Sequence, residues 1–301
     1  MSPYSFLDYC VCPVCQSSLL QDGEHLVCKR CQANYPVKDG IANLMPQNYK
    51  DDRYREYYDS YEVLAQDDLK SPLEVKREYR HDALLRFIGN TNGKRVLDIG
   101  SSSADYLRLL DAEFRVAFDI ARPFLASIPS HPNLQKIQGD AEYLPFIPGF
   151  FDSIIIADVL EHILCPERLI ERLENICTRK TKIIVHIPWE EDLTSYINQP
   201  YKYTHLRSFN SFTFHDLWKN FSVVKTRSTY PNLNSPLLFR LENKIPHFLF
   251  DRLKQYYYRS LAVKDYNQRV KHMKSLPKGE WWLLRLYKPV FRIFELKIRN
   301  S

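Results

Sequence analysis

Segments rich in apolar residues alternate with amphipathic segments over the middle of the chain. The apolar segments lie at 96–99, 114–120, 134–138, 151–157, 181–189 and 221–230. The stretch that follows the fourth of them instead has apolar residues at helical spacing, such as Leu169 and Leu173. The stretch after the first also predicts a helix, with Leu107, Leu109 and Leu110 as its apolar residues. Apolar strands that alternate with helices are typical of a parallel sheet covered on both faces. The pattern therefore predicts an α/β fold with a doubly wound, Rossmann-like sheet.

The segment before the alternating strands and helices has a different distribution of apolar residues. Residues 47–92 are more polar and predict two helices, the second of which begins well at Ser71-Pro72 because proline suits a first helical turn. Tyrosines crowd the first helix, where they either line a substrate pocket as part of a lid or, more commonly for such a stripe, pack on the next domain. These tyrosines are Tyr49, Tyr54, Tyr57, Tyr58 and Tyr61. We predict three parts: residues 1–46, a helical linker or lid at 47–92, and a large domain at 93–301.

The C-terminal part of the large domain is strongly basic. Residues 240–301 carry 15 basic and 5 acidic side chains, whereas the rest of the chain carries 27 and 31. This excess predicts an anionic partner, either a membrane surface or a nucleic acid, and the alternative is a solvated face. We expect helices from about 237 to 273. The stretch 281–299 fits either a final strand or an amphipathic helix at a membrane interface.

Four of the seven cysteines form two C-x-x-C pairs near the N-terminus. Cys12 and Cys15 are separated by 12 residues from Cys28 and Cys31. Two residues between thiolates let a tight turn aim both sulfurs at one ion, and two such turns complete the tetrahedral shell of structural zinc. A hairpin with its turn at Asp22-Gly23 brings the pairs together. Disulfides and thiol redox chemistry are the alternatives to zinc.

The chain has no pattern of a secreted or membrane-spanning protein. Its first 15 residues lack the features of a signal peptide, and no stretch approaches the ~18 apolar residues of a spanning helix. We therefore expect a cytoplasmic protein, with peripheral contact to a membrane through the basic region. Its thiols are then reduced, and Cys10, Cys165 and Cys177 are expected to be buried small hydrophobes.

The segment CPVCQSSLLQDGEHLVCKRCQANYPVKDGIANLMP carries a likeness to a known family. It resembles the short zinc ribbons typified by the small activator subunit of tRNA and translation-factor methyltransferases. The stretch from Tyr35 to Ile41 is similar to the signature of that family, and the likeness covers about the first 46 residues. The resemblance implies a structural zinc ion and a module that binds a protein partner.

Acidic residues fall at the carboxyl ends of the first four predicted strands. They are Asp98, Asp119, Asp140 and Asp158, and Gly100 forms the turn after the first. Ligands of doubly wound sheets bind beyond these strand ends. Asp119 lies 21 residues after Asp98, where a nucleotide-binding fold places a carboxylate on the ribose hydroxyls. A Rossmann dehydrogenase is the competing interpretation, but its first turn would have the pattern G-x-G-x-x-G.

Three segments resemble motifs of the class I S-adenosylmethionine-dependent methyltransferases, in the branch that acts on small molecules and the cell envelope. VLDIGSSSA is similar to the first motif, FDSIIIADVLEHI to the fourth, and HLRSF at 205–209 to a late one, so that the likeness covers about residues 75–230. The resemblance implies a seven-stranded methyltransferase sheet, whose last, antiparallel strand is matched by residues 281–287, and S-adenosylmethionine as cofactor. The implied cofactor-binding residues are Asp98, Gly100, Ser101, Ser102, Asp119, Ile120, Asp140, Ala141 and Asp158. The family usually has glycine where Ser102 and Ala104 stand.

Three histidines are candidates for the base that an oxygen acceptor requires. His162 follows the fourth strand, next to the expected place of the methyl group, and we select it as the catalytic residue; a structural histidine is the alternative. His186 lies inside a strand pattern and is expected to be core. His205 lies in a polar loop and could face the substrate.

Three functions are compatible with these features. We favour methyl transfer to a small molecule or to a lipid- or sugar-linked metabolite. The second is an RNA methyltransferase, since ribosomal guanine methyltransferases also join a zinc ribbon to this fold. Residues 157–160, however, lack the Asn/Asp-Pro-Pro-aromatic pattern of many amino-methylating enzymes. The third is a non-catalytic adaptor whose ribbon binds a partner. The sequence does not identify the methyl acceptor or its reacting atom.

Overall fold

The computed structural model describes residues 3–47, 52–70, 84–191, 193, 205–229 and 291–299. Within them, one mixed sheet of eleven strands has the order β1-β2-β3-β4-β7-β6-β5-β8-β9-β11-β10. The strands are β1 Leu19–Asp22, β2 His25–Cys28, β3 Asn34–Lys38, β4 Ile41–Asn43, β5 Arg95–Ile99, β6 Phe114–Asp119, β7 Leu134–Gln138, β8 Ser153–Ala157, β9 Lys182–Pro188, β10 Phe221–Thr229 and β11 Phe291–Ile298.

The seven strands from β5 to β11 form the predicted doubly wound sheet. Strands β7, β6, β5, β8 and β9 are parallel neighbours, and β11 runs antiparallel between β9 and β10. The chain builds the sheet outward from β5 in one direction and then continues from β8 in the other. The point between β5 and β8 is therefore the place where ligands of such sheets bind. This confirms the predicted seven-stranded, Rossmann-like α/β fold with a small N-terminal β ribbon.

Four helices have complete bounds among the described residues. They are α1 Asp52–Lys70, α2 Arg122–Ser127, α3 Pro166–Ile176 and α4 Ser211–Leu217, and residues 84–88 are also helical. Helix α3 was predicted from its spacing, and Leu169 and Leu173 are fully buried against the sheet as expected. Helix α1 matches the first predicted helix of the lid region. Most of the second, as well as the helices expected at 237–273, lies outside the described residues.

The segment after β5 differs from the prediction. We expected an α-helix with Leu107, Leu109 and Leu110 as its apolar residues, but a single 3-10 turn forms at Leu107–Leu109. The buried guanidinium of Arg115 provides the reason. Its Nη1 donates hydrogen bonds to the carbonyls of Leu107, Arg108 and Leu110. These carbonyls are therefore satisfied without another helical turn.

The last strand of the sheet lies later than the position we had matched to it. We expected it at 281–287, which lies outside the described residues, whereas β11 is Phe291–Ile298. Ile293, Phe294 and Leu296 of β11 are buried between its two neighbours. Of the two alternatives for 281–299, the described part is therefore a strand. No helix among the described residues has the length and hydrophobicity needed to cross a membrane.

The N-terminal ribbon continues the large sheet. Strand β4 pairs in parallel with β7, with Ala42 opposite Ile137. Tyr9 is fully buried and stacks on the ring of Phe150 at 4.9 Å. The hairpin turn of the ribbon is Gly23-Glu24, one residue later than predicted, because Asp22 still pairs with His25. The ribbon and the doubly wound sheet therefore share one hydrophobic core.

Candidate active site

The turn after β5 has the backbone of a glycine-rich loop, with Gly100 present and two other glycine positions filled by small residues. The N–H groups of Gly100 and Ser101 donate to the carbonyl of Phe118, at 2.8 and 3.1 Å. Ser102 and Ala104 have φ values of 49° and 54°, in the left-handed region that glycine favours. Each L-residue there costs about 1–2 kcal/mol. The turn keeps the shape expected from the first motif, although two of its glycines are replaced by small residues.

Asp119 closes this turn from the end of β6. Its Oδ2 accepts from the N–H of Ser102 at 2.8 Å, and its Oδ1 accepts from the N–H of Ala121 at 2.9 Å. Burial raises the pKa of Asp119 to about 6, although these N–H groups oppose the shift. Each carboxylate oxygen has a second lone pair. The side chain is thus fixed in place and can still accept hydrogen bonds from two hydroxyl groups.

Asp140 lies at the start of the segment after β7 and is also buried. Its Oδ1 accepts from the N–H of Glu142 at 2.9 Å, and its Oδ2 accepts from the hydroxyl of Tyr58 at 2.6 Å. Burial raises the pKa of Asp140 to about 7, and the bond from Tyr58 lowers it. Tyr54 donates to Glu142 at 2.6 Å. Helix α1 therefore packs across the strand ends with two tyrosine hydroxyls on the buried acids.

Two further polar groups of the first motif are buried. Asp98 is fully buried in β5, and burial raises its pKa well above the usual range. Its Oδ1 accepts a hydrogen bond from the hydroxyl of Tyr106, whereas its Oδ2 has no hydrogen-bond partner among the described residues. The hydroxyl of Ser101 also has none there. Such atoms require a partner, and the amino group of S-adenosylmethionine has the charge and the donors that fit Asp98.

Asp158 lies directly after β8. Its φ is 56°, and its Oδ1 lies 2.8 Å from Nδ1 of His186. His186 is buried in β9 and stacks on the ring of Phe291 at 5.0 Å. The predicted cofactor residue Ile120 packs against the small buried cluster of Ala65, Ala121 and Phe124.

The candidate base His162 lies in a cluster of titratable side chains. Its Nε2 is 3.9 Å from Oε1 of Glu161, and its ring is 4.8 Å from that of His205, edge to face. Nδ1 of His205 lies 2.5 Å from Oε2 of Glu191. Tyr61 of α1 contacts the His162 ring at 6.1 Å between centroids. The structure thus brings His162 and His205 together and places His186 apart, against Asp158.

The four cysteines of the ribbon converge as predicted. The Sγ atoms of Cys12 and Cys31 are 3.6 Å apart, and those of Cys15 and Cys28 are 3.4 Å apart. Zinc bonds of ~2.3 Å in a tetrahedron place sulfurs ~3.8 Å apart. The hydroxyl of Tyr35 lies 3.2 Å from the Sγ of Cys12 as an outer partner. The cluster therefore fits a structural zinc ion. None of the seven cysteines forms a disulfide.

The other three cysteines lie away from this cluster. Cys10 and Cys177 are buried, and burial raises the pKa of both thiols. Cys165 is half-buried at the start of α3, which corrects its expected full burial. It precedes Pro166 at the helix N-terminus, where its N–H donates to Glu142 at 2.8 Å.

A family profile described as a methyltransferase domain matches residues 73–224, half of the chain. The chain belongs to this methyltransferase family. The match confirms the predicted methyltransferase. No curated protein matches the sequence of this methyltransferase.

Solved structures share the fold of the methyltransferase. One is the complex between the Haloferax volcanii Trm112 methyltransferase activator and a methyltransferase, at 13% identity and a TM-score of 0.56, over 80% of this chain and 98% of that one. Haemonchus contortus phosphoethanolamine N-methyltransferase 2 with S-adenosylmethionine has 18% identity and a TM-score of 0.48, over 73% and 52%. A Bacillus halodurans methyltransferase has 14% identity and a TM-score of 0.49, over 73% of this chain and 99% of that one. At 13% identity, the likeness to the archaeal complex shows the fold alone.

Sequence reasoning missed several residues of this site. Glu161 precedes His162 in the fourth motif, and the adjacent acid and histidine were the signal that could have identified it. Glu191 had no such signal because it meets His205 only through the fold. Tyr54 and Tyr58 were predicted to pack, and the structure adds their hydrogen bonds to the buried acids.

Proposed function

We propose that this methyltransferase transfers the methyl group of S-adenosylmethionine to a small molecule or to a lipid- or sugar-linked metabolite. The observation that carries the proposal is the convergence of three buried carboxyl groups, those of Asp98, Asp119 and Asp140, where the strand order reverses. His162 lies in the turn after the neighbouring strand β8. The acids are thus suited to a nucleoside with a charged tail, and the turn with His162 to an acceptor.

The proposed cofactor contacts follow from the fixed positions of the acids. Asp119 accepts from both ribose hydroxyls, Asp140 and Ala141 contact the adenine, and Asp98 pairs with the amino group of the methionine part. The turn from Gly100 to Ser102 lets the backbone approach the ligand closely, since its side chains are small. When bound, the cofactor supplies a methyl group already activated by the sulfonium charge.

The acceptor is proposed to lie against His162. Displacement of the methyl group is in line, so the protein has to hold the acceptor ~3–3.5 Å from the methyl carbon in a dry site. Tyr61 of α1 lies over the His162 ring and helps to exclude water. We therefore retain His162 as the residue that contacts the acceptor.

The ribbon is proposed to stabilise the methyltransferase domain of its own chain. In the archaeal complex noted above, an activator and a methyltransferase are separate proteins. In this chain, strand β4 of the ribbon covers the β7 edge of the sheet, and Arg122 donates to Asp39 of the ribbon at 3.0 Å. We propose that the ribbon stabilises the cofactor-binding half, and that a protein partner would bind the outer surface of the ribbon.

The basic region is proposed to contact an anionic membrane that carries the acceptor. The supporting observation is the concentration of 15 basic residues in 240–301. A test that leaves β11 intact replaces Lys271, Lys274 and Lys278 by Gln and measures binding to phosphatidylglycerol vesicles. Binding should weaken in the variant and decrease with salt. Tighter binding to RNA than to vesicles would favour the RNA methyltransferase.

The function is tested with a cell extract, purified protein and S-adenosylmethionine with a labelled methyl group. The extract is separated into lipid, small-molecule, RNA and protein fractions, and Asp119→Ala is the control protein. We expect label in the lipid or small-molecule fraction with the wild type alone. Label in RNA would select the second candidate. Cofactor binding without label in any fraction would favour the adaptor.

A further inference from the structure

A group of three potential metal ligands lies beside the acceptor position. One ligand atom from each of Glu161, His162 and His205 lies within 4.8 Å of the others. Oε1 of Glu161 lies 3.9 Å from Nε2 of His162. A divalent ion with bonds of ~2.0–2.2 Å holds its ligand atoms ~3–3.5 Å apart. Small side-chain adjustments are therefore sufficient to close this group on one ion.

The donor set of this group suits a divalent cation, and Glu161 brings a buried carboxylate to it. Glu161 is fully buried, and a buried carboxylate is costly unless a positive charge or hydrogen bonds compensate it. A metal ion bound between it and two imidazoles provides that charge directly. The donor set of two nitrogens and one carboxylate oxygen is typical of first-row divalent ions such as zinc, cobalt or iron.

His205 is oriented in the way that metal-binding histidines are. Nδ1 of His205 lies 2.5 Å from the Glu191 carboxylate, which fixes the tautomer whose Nε2 carries the lone pair. Metal-binding histidines commonly donate their other ring N–H to a carboxylate in this way. Glu191 is therefore a positioning residue for His205.

Hydrogen bonds join the backbone segment that carries His205 to the turn that carries Glu161 and His162. The N–H of Leu206 donates to the carbonyl of Glu161 at 2.7 Å. The guanidinium of Arg207 donates to the carbonyls of Leu160, at 3.0 Å, and of Ile163 and Leu164. The segment with His205 is thus attached to the turn with Glu161 and His162. Such support keeps ligand positions within the narrow limits that a metal site requires.

We propose that Glu161, His162 and His205 bind a divalent first-row metal ion that holds an oxygen atom of the methyl acceptor. This role rests on the proposed function, whereas metal binding itself does not. The ion lowers the pKa of a bound hydroxyl, and its proton leaves to water. The oxygen then forms a bond to the methyl carbon while the bond from that carbon to sulfur breaks, and the electron pair of that bond stays on sulfur. His162 is then a ligand of the ion rather than a free base.

The test titrates the full-length protein, loaded with one equivalent of zinc for the ribbon cysteines, with Co²⁺ and follows heat and the visible spectrum. We expect one Co²⁺ per chain with ligand-field bands and no thiolate-to-cobalt charge transfer, because the ribbon cysteines already hold zinc. Glu161→Gln and His205→Ala should each weaken binding by at least ~10-fold, and Glu191→Gln by ~10-fold. His215→Ala is the matched control, since this exposed histidine bonds only the carbonyl of Ser211 among the described residues.

Binding of S-adenosylhomocysteine shows whether each variant is folded, and it should change by less than ~3-fold in all of them. His162→Asn is the second ligand variant if Glu161→Gln fails this check. Absence of a Co²⁺ equivalent beyond zinc, or equal binding by the folded ligand variants, overturns the metal site and leaves the methyltransferase proposal intact. Co²⁺ binding without methyl transfer to any acceptor would instead keep the metal site and overturn its proposed role in methyl transfer.

Discussion

The N–H of Ser102 donates a hydrogen bond of 2.8 Å to the carboxylate of Asp119. This bond joins the loop of the first motif to the proposed ribose-binding acid of the next strand. It forms although Ser102 occupies a left-handed position that usually favours glycine. The replacement of the motif glycines therefore leaves the cofactor loop in contact with its acid, and this contact leads to the first two predictions.

Asp119→Ala should weaken S-adenosylhomocysteine binding by about 100- to 10,000-fold. The variant loses two hydrogen bonds from ribose hydroxyls to a charged group, which contribute ~1.5–3 kcal/mol each. Asp119→Asn should keep part of the affinity, and the exposed Asp111→Ala should bind like the wild type. Calorimetric titration measures all four proteins. Unchanged affinity in Asp119→Ala would remove this residue from the cofactor site.

The affinity for S-adenosylhomocysteine should rise with pH between about 5 and 7. Burial raises the pKa of Asp119 to about 6 and that of Asp140 to about 7. Below these values the free protein carries protons that the ligand's donors must displace, so affinity falls by up to ~10-fold per pH unit for each acid. Asp119→Asn should lose the part of this dependence near pH 6. If Asp119→Asn had the same pH dependence of affinity as the wild type, Asp119 would not be the group that titrates on ligand binding.

Gly100→Ala should destabilise the protein more than Gly93→Ala. Both glycines have left-handed φ values, 71° and 64°, so both variants lose about 1–2 kcal/mol for backbone strain. A Cβ at Gly100 would lie 2.3 Å from Cγ2 of Val159, whereas a Cβ at Gly93 meets nothing within 4 Å. The clash should lower the free energy of unfolding by a further ~1–3 kcal/mol. Urea denaturation of the two variants measures the difference directly.

Cys28→Ser should abolish binding of zinc by the ribbon. The thiolates of Cys28 and its three partners form the proposed shell, and structural zinc contributes folding energy to small domains. Cys165→Ser is the control, because Cys165 lies outside this cluster and should leave one zinc per chain. Metal analysis gives the stoichiometry, and amide hydrogen exchange in β3 and β4 should increase in Cys28→Ser. Full zinc content in that variant would disprove the site.

The sequence alone determined the features that depend on local pattern. Continuous apolar segments predicted the parallel strands, because a strand buried on both faces needs apolar residues on both. The paired spacing of Cys12, Cys15, Cys28 and Cys31 predicted a ligand cluster, because two residues between thiolates fix a local turn. The positions of Asp98, Asp119 and Asp140 at successive strand ends predicted that they would meet at one edge.

Only the tertiary structure decided the features that depend on contacts distant in sequence. The 3-10 turn at Leu107–Leu109 replaces a predicted helix because Arg115, from the next strand, binds its carbonyls. The ribbon joins the sheet through the pairing of β4 with β7, which are separated by about 90 residues of sequence. Glu161, His162 and His205 form one cluster because Arg207 holds the turn after β8. Local periodicity carries no information on such pairings, since they depend on how complete elements pack.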